Sequence, residues 1–271
     1  MHPLFFVLLP VLALLLLWLF LIAPRAQKKR MKPFLRPYAH RGLWGADVPE
    51  NSLTAFRLAV EAGFGIELDV QLSADGTVMV FHDYTLTRMC GVDKNVAEMT
   101  AVELGACRLQ DSEEKIPTLA EVLSVVDGRV PLLVELKGES GDTALCPAVC
   151  AVMANYKGEW CVESFNPLLL RWFKKHEKCV LRGLLSTDLI KEKKSGSVLR
   201  NFALSALWLT FLCRPAFHAW DKKYKGRLAL WVGTALLGAA SLVYTVKNEA
   251  EYQAFLAKRT FPIFDEFLPQ Q

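Results

Sequence analysis

Residues 65–86 read GIELDVQLSADGTVMVFHDYTL. In the first eight, Ile66, Leu68 and Val70 interleave with Glu67, Asp69 and Gln71. Residues two apart on a strand share a face, so one face is apolar and the other holds two carboxylates. Helices can cover the apolar face. The other face then turns to the interior of a sheet closed on itself. Unpaired carboxylates are costly to bury, and a bound cation removes that difficulty. Ala74-Asp75-Gly76 marks a hairpin turn into a second strand that leads to His82 and Asp83.

The pattern extends outward from this stretch. Strands are expected at PYAHRG (37–42), PLLVELKG (131–138), EWCVESF (159–165), CVLRGLL (179–185), LVYTV (242–246) and FPIFD (261–265). Between them lie helix-like segments. NSLTAFRLAVEA (51–62) has Asn51 or Ser52 as cap and Gly63 as stop. Thr118 and Glu121 form a capping box that opens TLAEVLSVV. Residues 143–155, PLLLRWFKK, and a segment opening at Asn248 with Glu251 three residues on follow the same rhythm. Strands alternating with helices imply parallel βαβ units. The run of about 235 residues from Pro37 is the size of a (β/α)8 TIM barrel.

The apolar stretch 198–246 admits two readings. Leu228–Val246 has nineteen residues without a charge, and hydropathy alone would read it as a membrane span. We read 198–246 as barrel elements, with FHAWD as one strand, because a barrel cannot close without them. A third option rests this face on a bilayer.

Barrel enzymes place their chemistry at the C-terminal edge of the strands. His40 and Arg41 end one strand, Glu67 and Asp69 share an inward face, and Glu135 and Lys137 share another. Val78, Val80 and His82 are expected on one face of the hairpin's second strand. Each has a plain alternative: a hydrogen-bonded core histidine, an internal Glu135–Lys137 pair, or an edge strand with Glu67 and Asp69 in water. It is the joint pattern that points to a site.

These motifs resemble a known family. AHRG, PENS, IELDVQLSADGTVMVFHD with TLTR, and LLVELK resemble the glycerophosphodiester phosphodiesterases, strongly over Ala39–Lys137 and more weakly through VESFNP and YTVKNEAEY. The resemblance implies a (β/α)8 barrel with a small insertion after the second strand, here Phe81–Lys115. It implies Ca²⁺ or Mg²⁺ on Glu67, Asp69 and Glu135, an all-oxygen set suited to hard cations. It implies His40 and His82 as general acid and base, in an order left open. Arg41 and Lys137 would bind the substrate phosphate, with Glu50 and Asn51 in support; capping is the other reading of Asn51. Asp83 would orient a loop or a histidine. The implied reaction releases sn-glycerol 3-phosphate and an alcohol, through water or a cyclic phosphate. The chain departs from the family at Ser52, at Tyr244, and in PIFDEF, where Asp265 matches the family's acid. A lysophospholipase D acting on membrane lipids and a silent binding module are the rivals.

Leu4–Ala23 carries no charge and is followed by Arg25, Lys28, Lys29, Arg30, Lys32 and Arg36. This predicts a transmembrane anchor over 1–23, a basic linker over 24–36 and the barrel domain over 37–271, with the barrel on the cytoplasmic side by the positive flank. The same basic run suits anionic headgroups. It accounts for the net charge of +4, so no nucleic-acid footprint is left in the remainder. The seven cysteines form no CxxC pair, and their odd number argues against a complete disulfide framework and fits a reducing compartment.

Overall fold

The computed structural model describes residues 3–270, with side chains given from Phe6 onward. Met1, His2 and Gln271 lie outside the described residues, and with them the outer ends of the expected anchor and barrel segments. The strands are β1 (Tyr38–His40), β2 (Gly65–Leu72), β3 (Val78–Val80), β4 (Leu132–Leu136), β5 (Trp160–Ser164), β6 (Arg182–Ser186), β7 (Phe217–Asp221), β8 (Ala240–Val246) and β9 (Thr260–Phe264). All neighbours pair in parallel except β3, and β1 pairs with both β2 and β9, which closes the ring. This is a (β/α)8 barrel with β3 as an antiparallel extra strand on β2.

Alternation decides the two faces. Ile66, Leu68, Val70, Leu132, Val134 and Leu136 turn outward and pack under the helices. Tyr38, Leu133, Cys161, Leu185, Phe217 and Ile263 fill the interior. Helix Leu53–Glu61 starts at Ser52, whose hydroxyl accepts from Ala55 N–H at 3.1 Å. Helix Leu119–Val126 starts at the Thr118–Glu121 capping box. Both bury one stripe, because their apolar residues recur at helical spacing.

The insertion after the hairpin has its own core, with Phe81, Leu86, Met89, Val96, Leu104 and Ile116 packed together. One sequence expectation needs correcting here. His82 does not share a strand face with Val78 and Val80, because β3 ends at Val80. The antiparallel hairpin brings Phe81 N–H to the carbonyl of Asp69 at 3.0 Å, so the chain returns past the end of β2. His82 therefore reaches the mouth from a loop.

The stretch 198–246 forms barrel elements: helix Val198–Ser205, β7, short helical turns over 228–236, and β8. On β7, His218 points outward into the apolar layer, is fully buried, and neither ring nitrogen has a partner. A Cβ on Gly233 would lie 3.4 Å from its Nε2. Burial alone lowers its pKa to about 4, with no charged group contributing. The folded pKa lies below the unfolded one, so this contribution is intact above about 6.5 and is lost as pH falls toward 4, by about 3 kcal/mol. His218→Leu removes the unsatisfied ring. Urea melts should show the variant gaining most at pH 5, with a smaller gain at pH 8; an equal shift at both would refute the account.

The expected membrane-spanning anchor is not supported. Among the described residues, no helix is long and apolar enough to cross a membrane. Crossing takes about 20 apolar residues, and the described side chains of the first helix begin at Phe6. That helix, Pro3–Ile22, is nonetheless apolar, and Phe6, Leu8, Leu12, Leu16 and Phe20 are exposed. Its last turn is held to the barrel. Arg214 Nη1 donates to the carbonyls of Phe20 at 3.0 Å and Ala23 at 2.7 Å, and the guanidinium lies 4.7 Å from the Phe20 ring centre. Arg214 lies just before β7, at the N-terminal rim of the barrel.

Candidate active site

Strand register builds the site. His40 lies opposite Glu67, and Asp69, Glu135 and Glu163 stand side by side on β2, β4 and β5. Alternation turns these side chains inward, above the apolar filling. They open on a cavity of about 180 Å³ lined by His40, Arg41, Glu67, His82, Glu135 and Lys137, with Phe165, Leu185 and Tyr244 on its apolar side.

The β1 exit needs its glycine. Arg41 and Gly42 both have positive φ, +58° and +83°. A Cβ at Gly42 would sit 2.8 Å from the backbone of Ala55, so the turn can pack on helix Leu53–Glu61 only without one. The turn aims Arg41 N–H at Glu67 Oε2, 3.1 Å away.

Each imidazole is oriented by a carboxylate. His40 Nδ1 donates to Asp265 Oδ2 at 2.9 Å, and His82 Nδ1 donates to Asp83 Oδ1 at 2.6 Å. This leaves each Nε2 available to the cavity. His40 Nε2 lies 3.9 Å from Glu67 Oε2. Burial lowers both histidine pKa values, against the pull of neighbouring carboxylates.

Glu67, Asp69 and Glu135 are buried, and one oxygen from each lies within 4.8 Å of the others. Burial, then Asp69 and Glu135, pushes Glu67 well above the usual carboxylate range. Burial also raises Glu135, to about 7. Asp69 goes the other way: burial opposes its ionisation, but Lys137 and Arg41 outweigh it. Lys137 Nζ stands 2.8 Å from Asp69 Oδ1 and 2.8 Å from Glu135 Oε1. The contact to Asp69 is an ion pair off hydrogen-bond angle. The basic groups thus favour Asp69, and the charge of the other acids calls for a proton or a cation. A buried all-oxygen set of this kind fits a hard divalent ion.

Arg41 Nη1 donates to Glu50 Oε1 at 2.8 Å, and its Nε is 3.3 Å from Asp69 Oδ2. Glu50 also accepts from Arg88 Nη2 at 2.6 Å, and Arg88 Nε donates to Asp83 Oδ2 at 2.5 Å. This chain of charges ties the loop of His82 to the turn of Arg41. Asn51, at φ +54°, donates from Nδ2 to Asp69 Oδ2 at 3.0 Å. It orients an acid of the site, and Ser52 is the cap.

Residues 40–260 match the glycerophosphoryl diester phosphodiesterase family. The chain belongs to that family. Among family relatives, a glycerophosphodiester phosphodiesterase of Caldanaerobacter subterraneus is 35% identical over 160 residues, covering 54% of this chain and 65% of that protein. Lysophospholipase D of Rattus norvegicus is 30% identical over 146 residues, covering 49% and 45%. The aligned stretches thus span between about half and two thirds of those relatives. The fold matches that of an Oleispira antarctica phosphodiesterase solved with the product sn-glycerol-3-phosphate, at TM-score 0.70 and 24% identity, covering 85% of this chain and 92% of that one.

Within this family framework, the structure gathers all nine residues singled out in the sequence around one mouth. It adds Arg88, which the sequence showed only as the end of TLTR, and Glu163. Glu163 had a signal that went unread: Cys161 and Glu163 alternate as Glu67 and Asp69 do.

Proposed function

We propose that this chain hydrolyses glycerophosphodiesters to sn-glycerol 3-phosphate and an alcohol with a divalent cation, Ca²⁺ or Mg²⁺. The observation that carries this reading is the pair of carboxylate-held imidazoles, His40 and His82, facing one cavity that also holds Glu67, Asp69 and Glu135. One imidazole takes the proton of the attacking water, or of the neighbouring glycerol hydroxyl by way of a cyclic phosphate that water then opens, and the other returns one to the departing alkoxide. Arg41 Nη2 has no hydrogen bond among the described residues and serves the phosphate. Lys137 adds a second positive charge. A cation held by the three acids would stabilise charge on the phosphoryl oxygens. Glu50 and Arg88 keep the two loops in place.

The full chain incubated with glycerophosphocholine and Ca²⁺ or Mg²⁺ should release glycerol phosphate, and excess EDTA should reduce the rate at least 100-fold. Undiminished turnover in chelator would remove the metal from the reading.

A second reading keeps the site and changes the substrate to a lysophospholipid. Likeness to the rat lysophospholipase D and the apolar wall of Phe165, Leu185 and Tyr244 favour it. Lysolipid and deacylated diester compared in one assay separate the two. We infer that the helix Pro3–Ile22 and the basic run after it associate with a membrane surface, with the barrel on the cytoplasmic side. Its uncharged length, its exposed leucines and the basic run Arg25–Arg36 support this.

A further inference from the structure

Glu163 is the one buried carboxylate of the mouth that the proposed reaction does not use. It is 1% exposed and lines the same cavity as His40, Glu67 and Glu135. Its Oε2 has no hydrogen-bond partner, and it forms no ion pair among the described residues. The other acids of the mouth have partners, Glu67 the backbone N–H of Arg41. Asp69 has Lys137 and Arg41, Glu135 has Lys137, Glu50 has two arginines, and Asp83 and Asp265 hold the histidines. In register, Glu163 stands directly beside Glu135, and neighbouring strands lie about 4.8 Å apart. It falls outside the group of three whose oxygens lie within 4.8 Å of one another.

An ionised group in that position, with no cation of its own, would be strongly disfavoured. Charge balance suggests its counterpart. Arg41 and Lys137 already face Glu50, Asp69 and Glu135, so a cation held by the triad is the counterpart left for Glu163.

We propose that Glu163 is a fourth carboxylate of the cation site and biases it toward Ca²⁺ over Mg²⁺. This rests on the reading of Glu67, Asp69 and Glu135 as the cation's ligands. Ion chemistry gives the direction. Ca²⁺ takes six to eight oxygens at about 2.3–2.6 Å, whereas Mg²⁺ closes an octahedron at about 2.0–2.1 Å and keeps several waters. The smaller ion is satisfied by the triad and water. The larger ion, with more ligands at longer bonds, draws on the acid just beyond the triad, directly or through a bound water.

Glu163→Gln tests this, because glutamine keeps the shape and removes the charge. Calorimetric titration of the full chain with CaCl2 and with MgCl2 reads the ion itself, independently of turnover. Wild type should bind Ca²⁺ more tightly. In the variant the Ca²⁺ dissociation constant should rise on the order of 10-fold, the lower end of the effect of outer ligands, and the Mg²⁺ constant by less than about 3-fold. Thermal melts in EDTA check that the variant is folded. Unchanged affinities would mean that Glu163 is a neutral filler and would overturn the proposal while leaving the triad intact. Equal losses for both ions, or a wild type that prefers Mg²⁺, would overturn the selectivity. A wild type that binds neither ion would sink the triad reading as well, and Asp69→Asn as control would then match it.

Discussion

His40→Ala should lower kcat for glycerophosphocholine by roughly 10²–10⁴, the range for a positioned acid–base group, with Ca²⁺ binding retained within about 3-fold because His40 is not among the oxygen ligands. The expectation comes from placement. His40 ends β1, its Nδ1 is fixed by Asp265, and its other nitrogen lies 3.9 Å from Glu67, at the edge of the acidic triad. Asp265→Asn should move kcat in the same direction by less, because it frees the ring without removing it. Steady-state kinetics with Ca²⁺ titration in parallel distinguish loss of the proton carrier from loss of the ion. A His40→Ala protein with near wild-type kcat would end the two-histidine account.

Asp69→Asn is expected to act on both stability and ion binding. Asp69 is fully buried and meets Lys137, Arg41 and Asn51 at once. Removing its charge leaves two buried cations with less to face. Breaking such a pair costs about 3–5 kcal/mol, because desolvation is no longer offset. Urea unfolding in EDTA isolates this cost from metal linkage. Calorimetry on the folded variant should show Ca²⁺ affinity reduced more than about 10-fold. A stability change below 1 kcal/mol together with unaltered affinity would contradict the assigned role. Full stability with lost affinity would keep the ligand and discard the ion-pair argument.

Glu67, Asp69 and Glu135 were legible because a strand's period of two is strict, and acids at inward positions break the apolar pattern visibly. Asp265 was visible in the last strand, but its bond to His40 spans almost the whole chain, and no local pattern records that closure. His82 was found for its type and misplaced in its element. Val78, Val80 and His82 alternate, yet the third strand stops where its ladder to β2 ends. Glu163 was missed because EWCVESF holds Glu159 and Glu163 four apart with Cys161 between them, and only the register beside Glu135 shows that the second acid faces the mouth. Asn51 carried two readings, and its hydrogen bond to Asp69, eighteen residues away, together with the cap at Ser52, decided between them. At the N-terminus, hydropathy read a span, whereas among the described residues no helix is long and apolar enough to cross a membrane.

Arg214 fastens the N-terminal helix just ahead of β7, whereas His40, His82 and the acids crown the opposite ends of the strands. Tether and chemistry thus occupy opposite poles. The catalytic pole therefore opens on the side of the barrel away from the helix Pro3–Ile22. Under the proposed membrane association of that helix, a dissolved diester would meet the cavity unhindered, while a lipid beside the helix would have to travel the height of the barrel.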